Sequence, residues 1–480
     1  MTCNIPRLVI AGLSGDAGKT IVSLALLADF RRKGLAVSAF KKGPDYIDAA
    51  WLKMAAASTC RNLDTFLVDP RQVRDIFIRH SRQAEIALVE GNRGLFDGRD
   101  VSGTHSTAAL AELLETPVIL VADCTKTTRT MAALVQGCLS FMPQLNIAGI
   151  ILNRVAGPRH ERIVRQSIEQ YCSRPVWGAF PKLPADETLI PGRHLGLIPP
   201  AEFETTGLVD RLADLADRYL DTDAIMAAAR TAAPLTLAED DSEDLVPADV
   251  TIGYFDDSVF TFYYPDNLEA LRRHGAELVP ISSLSHSSLP DIDALYIGGG
   301  FPETHADRLV ENRILMAAVK KAALAGLPIY AECGGLIYLC RNLTWNKNNY
   351  AMAGLFELDL EMHSKPVGHG YCELLVDTEN PFYIPGTSLR GHEFHYSGPA
   401  GESAAPGSCM KVTTGVGLGD KRDGLVLKNT LACYSHIHAA GVGDWAAGMT
   451  AAARRYRRQR QGAATPDNNR RGFNSKLAVV

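Results

Sequence analysis

Cys333 sits in GLPIYAECGGLIYL (residues 326–339), between an apolar run that suits a short buried strand and a second apolar stretch that suits a helix. Small residues flank it: Ala331 before, Gly334 and Gly335 after. Strand, small-residue turn and helix make up a nucleophile elbow, in which a sharp turn presents one side chain to a cleft. A helix N-terminus behind a thiol lowers its pKa and offers N–H groups to an oxyanion. Most cysteines of a reduced chain are buried and inert, but a core turn rarely needs two glycines, so Cys333 is expected to be a nucleophile. Such a cysteine needs a base. LACYSHIH (431–438), an apolar run ending in His436 and His438, offers two.

A second chemistry is written near the N-terminus. RLVIAGL (7–13) reads as a strand, GLSGDAGKT (12–20) as a glycine-rich loop, and KTIVSLALLADFRRKG (19–34) as an amphipathic helix closed by Gly34. This is the P-loop arrangement. Backbone N–H groups around Gly12, Gly15 and Gly18 would hold phosphate, Lys19 would reach the terminal phosphates, and Thr20 would offer its hydroxyl to Mg²⁺. The loop departs from G-x-x-x-x-G-K-[ST], because Leu13 stands five before Gly18 and the first glycine is Gly12. Acids follow two further strands: Asp45 and Asp48 in KKGPDYIDAAW (41–51), three apart and so on one helical face, and Glu90 and Asp97 in VEGNRGLFDG (89–98). In a parallel sheet these strand ends open on one crevice, where ligands bind. A lysine and several acids there suit Mg²⁺ held between protein and phosphates. Taken singly, Asp45 also reads as a helix cap and Asp97 as a turn residue.

The elements that must position these residues are those of an α/β chain. At 480 residues, two to four domains are expected. The 46% hydrophobic share is that of ordinary globular proteins, and the net charge of −5 gives no reason to expect nucleic acid or an anionic membrane as partner. Ten cysteines without paired spacing or a C-x-x-C fit reduced thiols, hence a cytoplasmic location, better than disulfides or structural zinc. There is no leader of signal type and no run near the ~20 apolar residues a membrane span needs. LAVSAFKKG (35–43), EIALVEG (85–91), PVILVADC (117–124) and NIAGIILNRV (146–155) add strands to the first, predicting a doubly wound, mostly parallel sheet. PLTLAEDDSEDLVPAD (234–249) is acidic and aperiodic, a linker. VTIGYFDD (250–257), ALYIGGG (294–300), LPIYAECGG and LACYSHIH begin and complete a second α/β series. The tail is basic and expected to be partly disordered, its start closing the second domain as a helix. The expected division is 1–233, an ATP-binding domain; 234–249, the linker; 250–450, the domain of Cys333; and 451–480, the tail.

The motifs form an ordered set: a G-x-x-x-x-x-G-K-T loop similar to that of dethiobiotin synthetase, GPDYID (43–48), E-G-x-x-G-L-F-D-G (90–98), HLGLIPPAE (194–202), IGGGFPE (297–303), AECGG (331–335), RGHEFHYS (390–397) and YSHIH (434–438). Together they resemble the cobyrinic acid a,c-diamide synthase family. The resemblance implies two doubly wound domains: a P-loop synthetase that activates a corrin-ring carboxylate as an acyl phosphate with ATP and Mg²⁺, and a class I glutaminase-like domain that supplies ammonia. It implies that Cys333 forms a γ-glutamyl thioester with His436 as base and His438 as second candidate. Gly299, Gly300 and Gly334 would form the oxyanion hole. Gly12, Gly15, Gly18, Lys19, Thr20 and Asn153 would bind ATP, and Thr20, Asp45 and Glu90 the metal. Tyr46, Asp48, Arg93 and Asp97 would lie near the acceptor carboxylate. Class I glutaminases usually carry a Glu two residues after the catalytic His, and that slot here is His438, so a third triad member is absent or comes from elsewhere.

Two departures from the family's usual pattern stand out. GPDYID continues AAWL (49–52) where the family has a proline and then a histidine, and E-G-V-M-G-L is here EGNRGL, with Asn92 and Arg93. Both are expected in the tetrapyrrole pocket, where an arginine can pair with another carboxylate of the acceptor. The acceptor is expected to be cobyrinate or, alternatively, siroheme or sirohydrochlorin, which also bear acetate side chains. The reading from a different class is a partitioning-type P-loop ATPase with an inactive fused domain, which would need neither the elbow cysteine nor YSHIH. The expected partners are ATP, glutamine and the tetrapyrrole, without nucleic acid or membrane, and a homodimer is compatible with these readings.

Overall fold

The computed structural model describes residues 2–182, 190, 192–193, 196–237, 246–401 and 407–463. Seven strands form the first sheet: β1 (Arg7–Gly12), β2 (Val37–Lys42), β3 (Cys60–Leu63), β4 (Ile86–Gly94), β5 (Val118–Asp123), β6 (Ile147–Val155) and β7 (Val176–Pro181). Their order is β3-β2-β4-β1-β5-β6-β7 and every pairing is parallel. The strands are apolar on both sides because helices cover both faces. Helix α1 (Lys19–Arg32) follows β1 and helix α2 (Tyr46–Ala56) follows β2, so the phosphate loop and the Asp45 turn open at the same sheet edge. Asp45 caps α2 by accepting the Asp48 N–H at 2.8 Å.

The AAWL departure faces the core, not the pocket. Ala49, Trp51 and Leu52 are buried with α1, and Trp51 Nε1 donates to the Ile198 carbonyl at 2.9 Å. At helical spacing, the face of α2 that carries these residues is the one turned onto the sheet. The start of the expected linker also belongs to the first body. Leu235 and Thr236 pair with Cys3 and Thr2, and Leu235 and Leu237 are fully buried. Residues 238–245 of the acidic run lie outside the described residues, as do 464–480 of the basic tail.

A ten-stranded sheet builds the second body: β8 (Val250–Phe255), β9 (Ala276–Ile281), β10 (Ala294–Ile297), β11 (Ile329–Glu332), β12 (Gly368–Val376), β13 (Ser388–His395), β14 (Ser408–Thr414), β15 (Arg422–Leu427), β16 (Thr430–Cys433) and β17 (His436–Ile437), in the order β9-β8-β10-β11-β16-β15-β14-β12-β13-β17. The half from β9 to β16 is parallel and doubly wound, while the other half is antiparallel. Only Lys428 and Asn429 join β15 to β16, and so short a turn admits no crossover. Helix α3 (Gly334–Leu339) follows β11 directly, and helix α4 (Asp444–Ala463) packs on the far side. Arg454 pairs with Asp249 and Arg460 with Asp291 and Asp293, so the start of the basic tail is neutralised within the chain. No described helix is long and apolar enough to cross a membrane.

The two bodies are clasped together. Arg61 of β3 bridges Asp266 at 3.0 Å and also pairs with Glu269 of the second body. Tyr371 donates to Asp64 at 2.7 Å and stacks on Phe66 at 4.3 Å. Arg61 and Asp266 are nearly buried, so removing one charge strands the other. Arg61→Ala is expected to lower stability by about 3 kcal/mol, with part of the loss recovered by adding Asp266→Asn. Thermal melts check this, and an unchanged melting temperature would mean the clasp is held elsewhere.

Candidate active site

The phosphate loop is shaped at Gly18, which has φ +96°, and a β-carbon there would lie 1.9 Å from Asn153 Nδ2. Asn153 itself, at the end of β6, donates to the Ala17 carbonyl at 2.8 Å. It thus braces the loop. Arg154 pairs with Asp123 at 2.5 Å. Lys19 folds over the loop, donating to the carbonyls of Ser14 (3.3 Å) and Arg93 (2.8 Å). Burial and the neighbouring Lys41 lower its pKa. Gly12 ends β1 at the floor of the loop and Gly15 is exposed at its tip.

Thr20 Oγ1 donates to Glu90 Oε1 at 3.0 Å, which places the hydroxyl and the acid at one point. Lys41, unremarked in the sequence, lies beneath them. It is fully buried, 2.7 Å from Glu90 and 2.6 Å from Asp48. Burial works against its charge, but Asp48, Glu90 and Asp45 more than offset that and hold its pKa above the usual value. The acids divide the effect. Burial would raise Asp48, but Lys41 keeps it below the ordinary carboxylate range. Glu90 is raised, chiefly by burial, and Asp45 is pushed up to about 7 by burial and Asp48. Glu90 Oε2 is buried without a hydrogen-bond partner. Asp97 accepts the Gly94 N–H at 2.8 Å, the turn role its position also allowed.

In the second body Cys333 has φ +47° and ψ −96°, a conformation costly for a residue with a β-carbon, and its N–H is fixed to the Cys433 carbonyl at 2.7 Å. This is an elbow between β11 and α3. The thiol is buried, and burial together with Glu303 pushes its pKa up, against the Gly334 N–H that lowers it. The expected lowering by the helix is therefore outweighed, because α3 spans only six residues and water is excluded. A thiol in that state needs a base to take its proton. His436 approaches from β17: a β-carbon on Gly299 would lie 2.5 Å from its Cε1 and 3.3 Å from its Nε2, and one on Gly334 would lie 3.0 Å from the Gly300 nitrogen. Glycines 299, 300 and 334 and the imidazole thus converge beside Cys333. His438 turns away, with its Nε2 3.7 Å from Asp266 and its Nδ1 accepting the Ala440 N–H.

Tyr46 joins the two sites. It follows Asp45 directly, stacks on Phe262 at 5.0 Å, and its ring lies 5.4 Å from that of His436. Next to it a cavity of about 550 Å³ has walls from both bodies: Lys42, Asp45, Asn92, Arg93, Asp97 and Arg99 on one side, Tyr371, His392 and His436 on the other. That size suits a specific small-molecule site, roughly 300–1,000 Å³. Asn92 and Arg93 do line it, unlike Ala49–Leu52. Arg93 has φ +53°, which turns its carbonyl to Lys19 while its side chain reaches the cavity.

Residues 8–197 match the family described as the CobQ/CobB/MinD/ParA nucleotide binding domain, and residues 251–442 match the CobB/CobQ-like glutamine amidotransferase domain. The chain is 42% identical over 453 residues to the cobyrinate a,c-diamide synthase of Magnetococcus marinus, covering 93% of this chain and 97% of that one. It is 39% identical over 440 residues to that of Archaeoglobus fulgidus (91% and 94%), and 37% identical over 455 residues to that of Salmonella typhimurium (93% and 98%). The chain belongs to the cobyrinate a,c-diamide synthase family. As in that family, a nucleotide-binding and a glutamine amidotransferase domain share one chain, and here they share one cavity.

Sequence reasoning passed over Lys41, Phe262, Tyr264 and His392. The aromatic cluster FTFYYP (260–265) was the available signal for the second and third, and RGHEFHYS for the last. His392 stacks on His436 at 4.9 Å, and burial with the two neighbouring histidines holds its pKa well below the usual value. Two outcomes follow from the geometry. Gly299→Ala is expected to displace the imidazole and cut glutamine hydrolysis about 10²-fold, while amidation with added ammonia persists; parallel assays with the two nitrogen donors check this. Lys41→Met leaves buried acids uncompensated and is expected to cost about 3–5 kcal/mol, partly regained in a double variant with Asp48→Asn, as read by thermal melts.

Proposed function

We propose that the protein amidates acetate side chains of cobyrinate, using ATP and glutamine through an acyl phosphate. The observation that carries this reading is the cavity with walls from both bodies, which is lined by Asp45 and Asp97 from the first and by His436 from the second. A carboxylate is a poor electrophile because its leaving group would be oxide. Phosphorylation replaces that with phosphate, which explains a P-loop beside an acceptor pocket. Ammonia is mostly ammonium near neutral pH, so releasing it beside the acyl phosphate supplies the nucleophile unprotonated.

In this reading Lys19 and the loop glycines hold the phosphates. Mg²⁺ fits the donors present: the Thr20 hydroxyl and Glu90, whose Oε2 has no hydrogen-bond partner, with phosphate oxygens completing the shell as is usual for this ion. Among the described residues no three acids, histidines or cysteines cluster tightly enough to hold a metal by themselves. Bound there, the ion would neutralise the phosphates. Asp45 would assist from the helix cap, and Asp48 would keep Lys41 in place. Arg93 and Arg99 would pair with acceptor carboxylates not undergoing reaction, with Tyr46 and Asp97 beside them. In the second body the Cys333 proton passes to His436, the thiolate attacks the glutamine amide, and Gly299, Gly300 and Gly334 face the oxyanion. Ammonia would then pass by the Tyr46–Phe262 contact, where the two bodies meet. The functional division we propose is an ATP-binding part ending near 237 and a glutaminase part beginning near 250.

Incubation with ATP, glutamine and cobyrinate is expected to replace OH by NH₂ at two carboxylates, read by mass spectrometry. Cys333→Ala should abolish glutamine-dependent but not ammonia-dependent product, and Lys19→Ala should abolish both. Product only from sirohydrochlorin would reassign the acceptor. ATP hydrolysis with no amidation of either would favour a partitioning-type ATPase instead.

A further inference from the structure

The orienting carboxylate that class I glutaminases usually carry two residues after the base is replaced here by His438, which faces Asp266. We infer that Glu332, the residue immediately before the nucleophile, orients the base; this rests on the reading of Cys333 and His436 as the glutaminase pair. Glu332 is the last residue of β11 and is fully buried. Its Oε2 accepts the Tyr296 hydroxyl at 3.0 Å and lies 3.5 Å from His436 Nδ1, and its Oε1 accepts the Ile437 N–H at 3.3 Å. A carboxylate with no exposure is expensive unless it is used. His436 Nδ1 is buried and has no hydrogen-bond partner, so Glu332 is the acceptor a small closure would give it.

The imidazole has its two nitrogens on opposite business. Nδ1 faces Glu332, while Nε2 faces Gly299 and, beyond it, the Gly300–Gly334 contact beside Cys333. His392 stacks against the ring at 4.9 Å and Tyr46 closes on it from the other body. This is the carboxylate–imidazole–nucleophile order of a triad. β11 and β16 pair in parallel, with Glu332 opposite Cys433, so the strand that delivers the nucleophile also delivers the acid, and the short step from Cys433 to His436 brings the base to both. The sharp turn at Cys333 lets adjacent residues serve different partners: the thiol goes to the glutamine cleft and the carboxylate goes behind the base.

Glu332 acts as a positioning residue and takes no proton. It holds the tautomer with hydrogen on Nδ1, leaving the Nε2 lone pair for the thiol proton. When the thiolate adds to the amide carbon and the C–N bond breaks, that proton passes from Nε2 to the departing nitrogen, giving ammonia and the thioester. Water then hydrolyses the thioester to glutamate.

The test compares Glu332→Gln, Tyr296→Phe and Cys333→Ala in the full chain. For Glu332→Gln, the kcat of glutamine hydrolysis is expected to fall about 10³-fold with KM for glutamine within about threefold of the parent, while ammonia-dependent amidation is unchanged. Tyr296→Phe, which releases one oxygen of Glu332, is expected to lower the same kcat about fivefold. A Glu332→Gln kcat within threefold of the parent, or parallel loss of ammonia-dependent amidation, overturns the role and marks Glu332 as structural. If Cys333→Ala keeps glutamine-dependent activity, the glutaminase pair itself is wrong and the role of Glu332 falls with it.

Discussion

The stack of Tyr46 on Phe262 is the contact on which the rest of the arrangement turns. Tyr46 is the first residue of a helix whose cap, Asp45, belongs to the phosphate-side acids, and its ring touches the neighbourhood of His436. A rigid link of one residue therefore separates the two chemistries. Ammonia is small, volatile and readily protonated, so an enzyme that makes it in one body and uses it in another needs the bodies docked and the passage short. The Arg61 bridge to Asp266 and Glu269, and the Tyr371–Asp64 hydrogen bond, hold that docking away from the seam itself. The seam can therefore stay aromatic while the charge lies around it.

Both sites keep strain and charge that would be unfavourable elsewhere. Lys41 sits under Asp48 and Glu90 with no access to water, and only their joint field keeps it charged. Its effect is to hold two acids close without their repelling one another, at the point where Thr20 and the phosphate loop converge. Cys333 carries the matching feature in the second body: a positive φ fixed by a hydrogen bond to the neighbouring strand. The strained turn adds nothing to stability, and the charged cluster, though costly to break, gains little over an apolar core. Each is kept because the surrounding sheet over-determines it.

The motifs whose chemistry is local were legible in the sequence. A strand, a glycine loop and Lys-Thr can hardly fold otherwise, and AECGG requires its turn. The parallel sheet followed from apolar strands separated by helices. What the sequence hid was set by tertiary partners. Nothing local tells that Lys41 is buried under acids from two other elements, or that FTFYYP reaches across to Tyr46. The AAWL string was misplaced because its closeness to GPDYID suggested the pocket, whereas helical periodicity turns Ala49, Trp51 and Leu52 inward. The thiol was expected to be acidic from its helix, yet burial and Glu303 decide the sign. The antiparallel half of the second sheet begins at the two-residue turn Lys428–Asn429, which short apolar runs do not announce.

Acceptor choice therefore narrows to one wall. With Ala49–Leu52 removed from the pocket, the departures left facing it are Asn92 and Arg93, beside Lys42 and Arg99. Lys42, Arg93 and Arg99 outnumber Asp45 and Asp97 on that wall, which suits an acceptor with several carboxylates, of which only one reacts at a time. Arg93 has a second duty, since its left-handed backbone aims its carbonyl at Lys19. The side chain that meets the acceptor and the carbonyl that steadies the phosphate-loop lysine therefore belong to one strained residue. A change of acceptor that required a different residue at 93 would have to preserve that backbone. A β-branched replacement would not tolerate the positive φ, whereas glycine or asparagine would keep the Lys19 contact and remove only the cation. Specificity can thus change along this wall only through residues compatible with the phosphate loop behind it, which ties recognition of the acceptor to its activation.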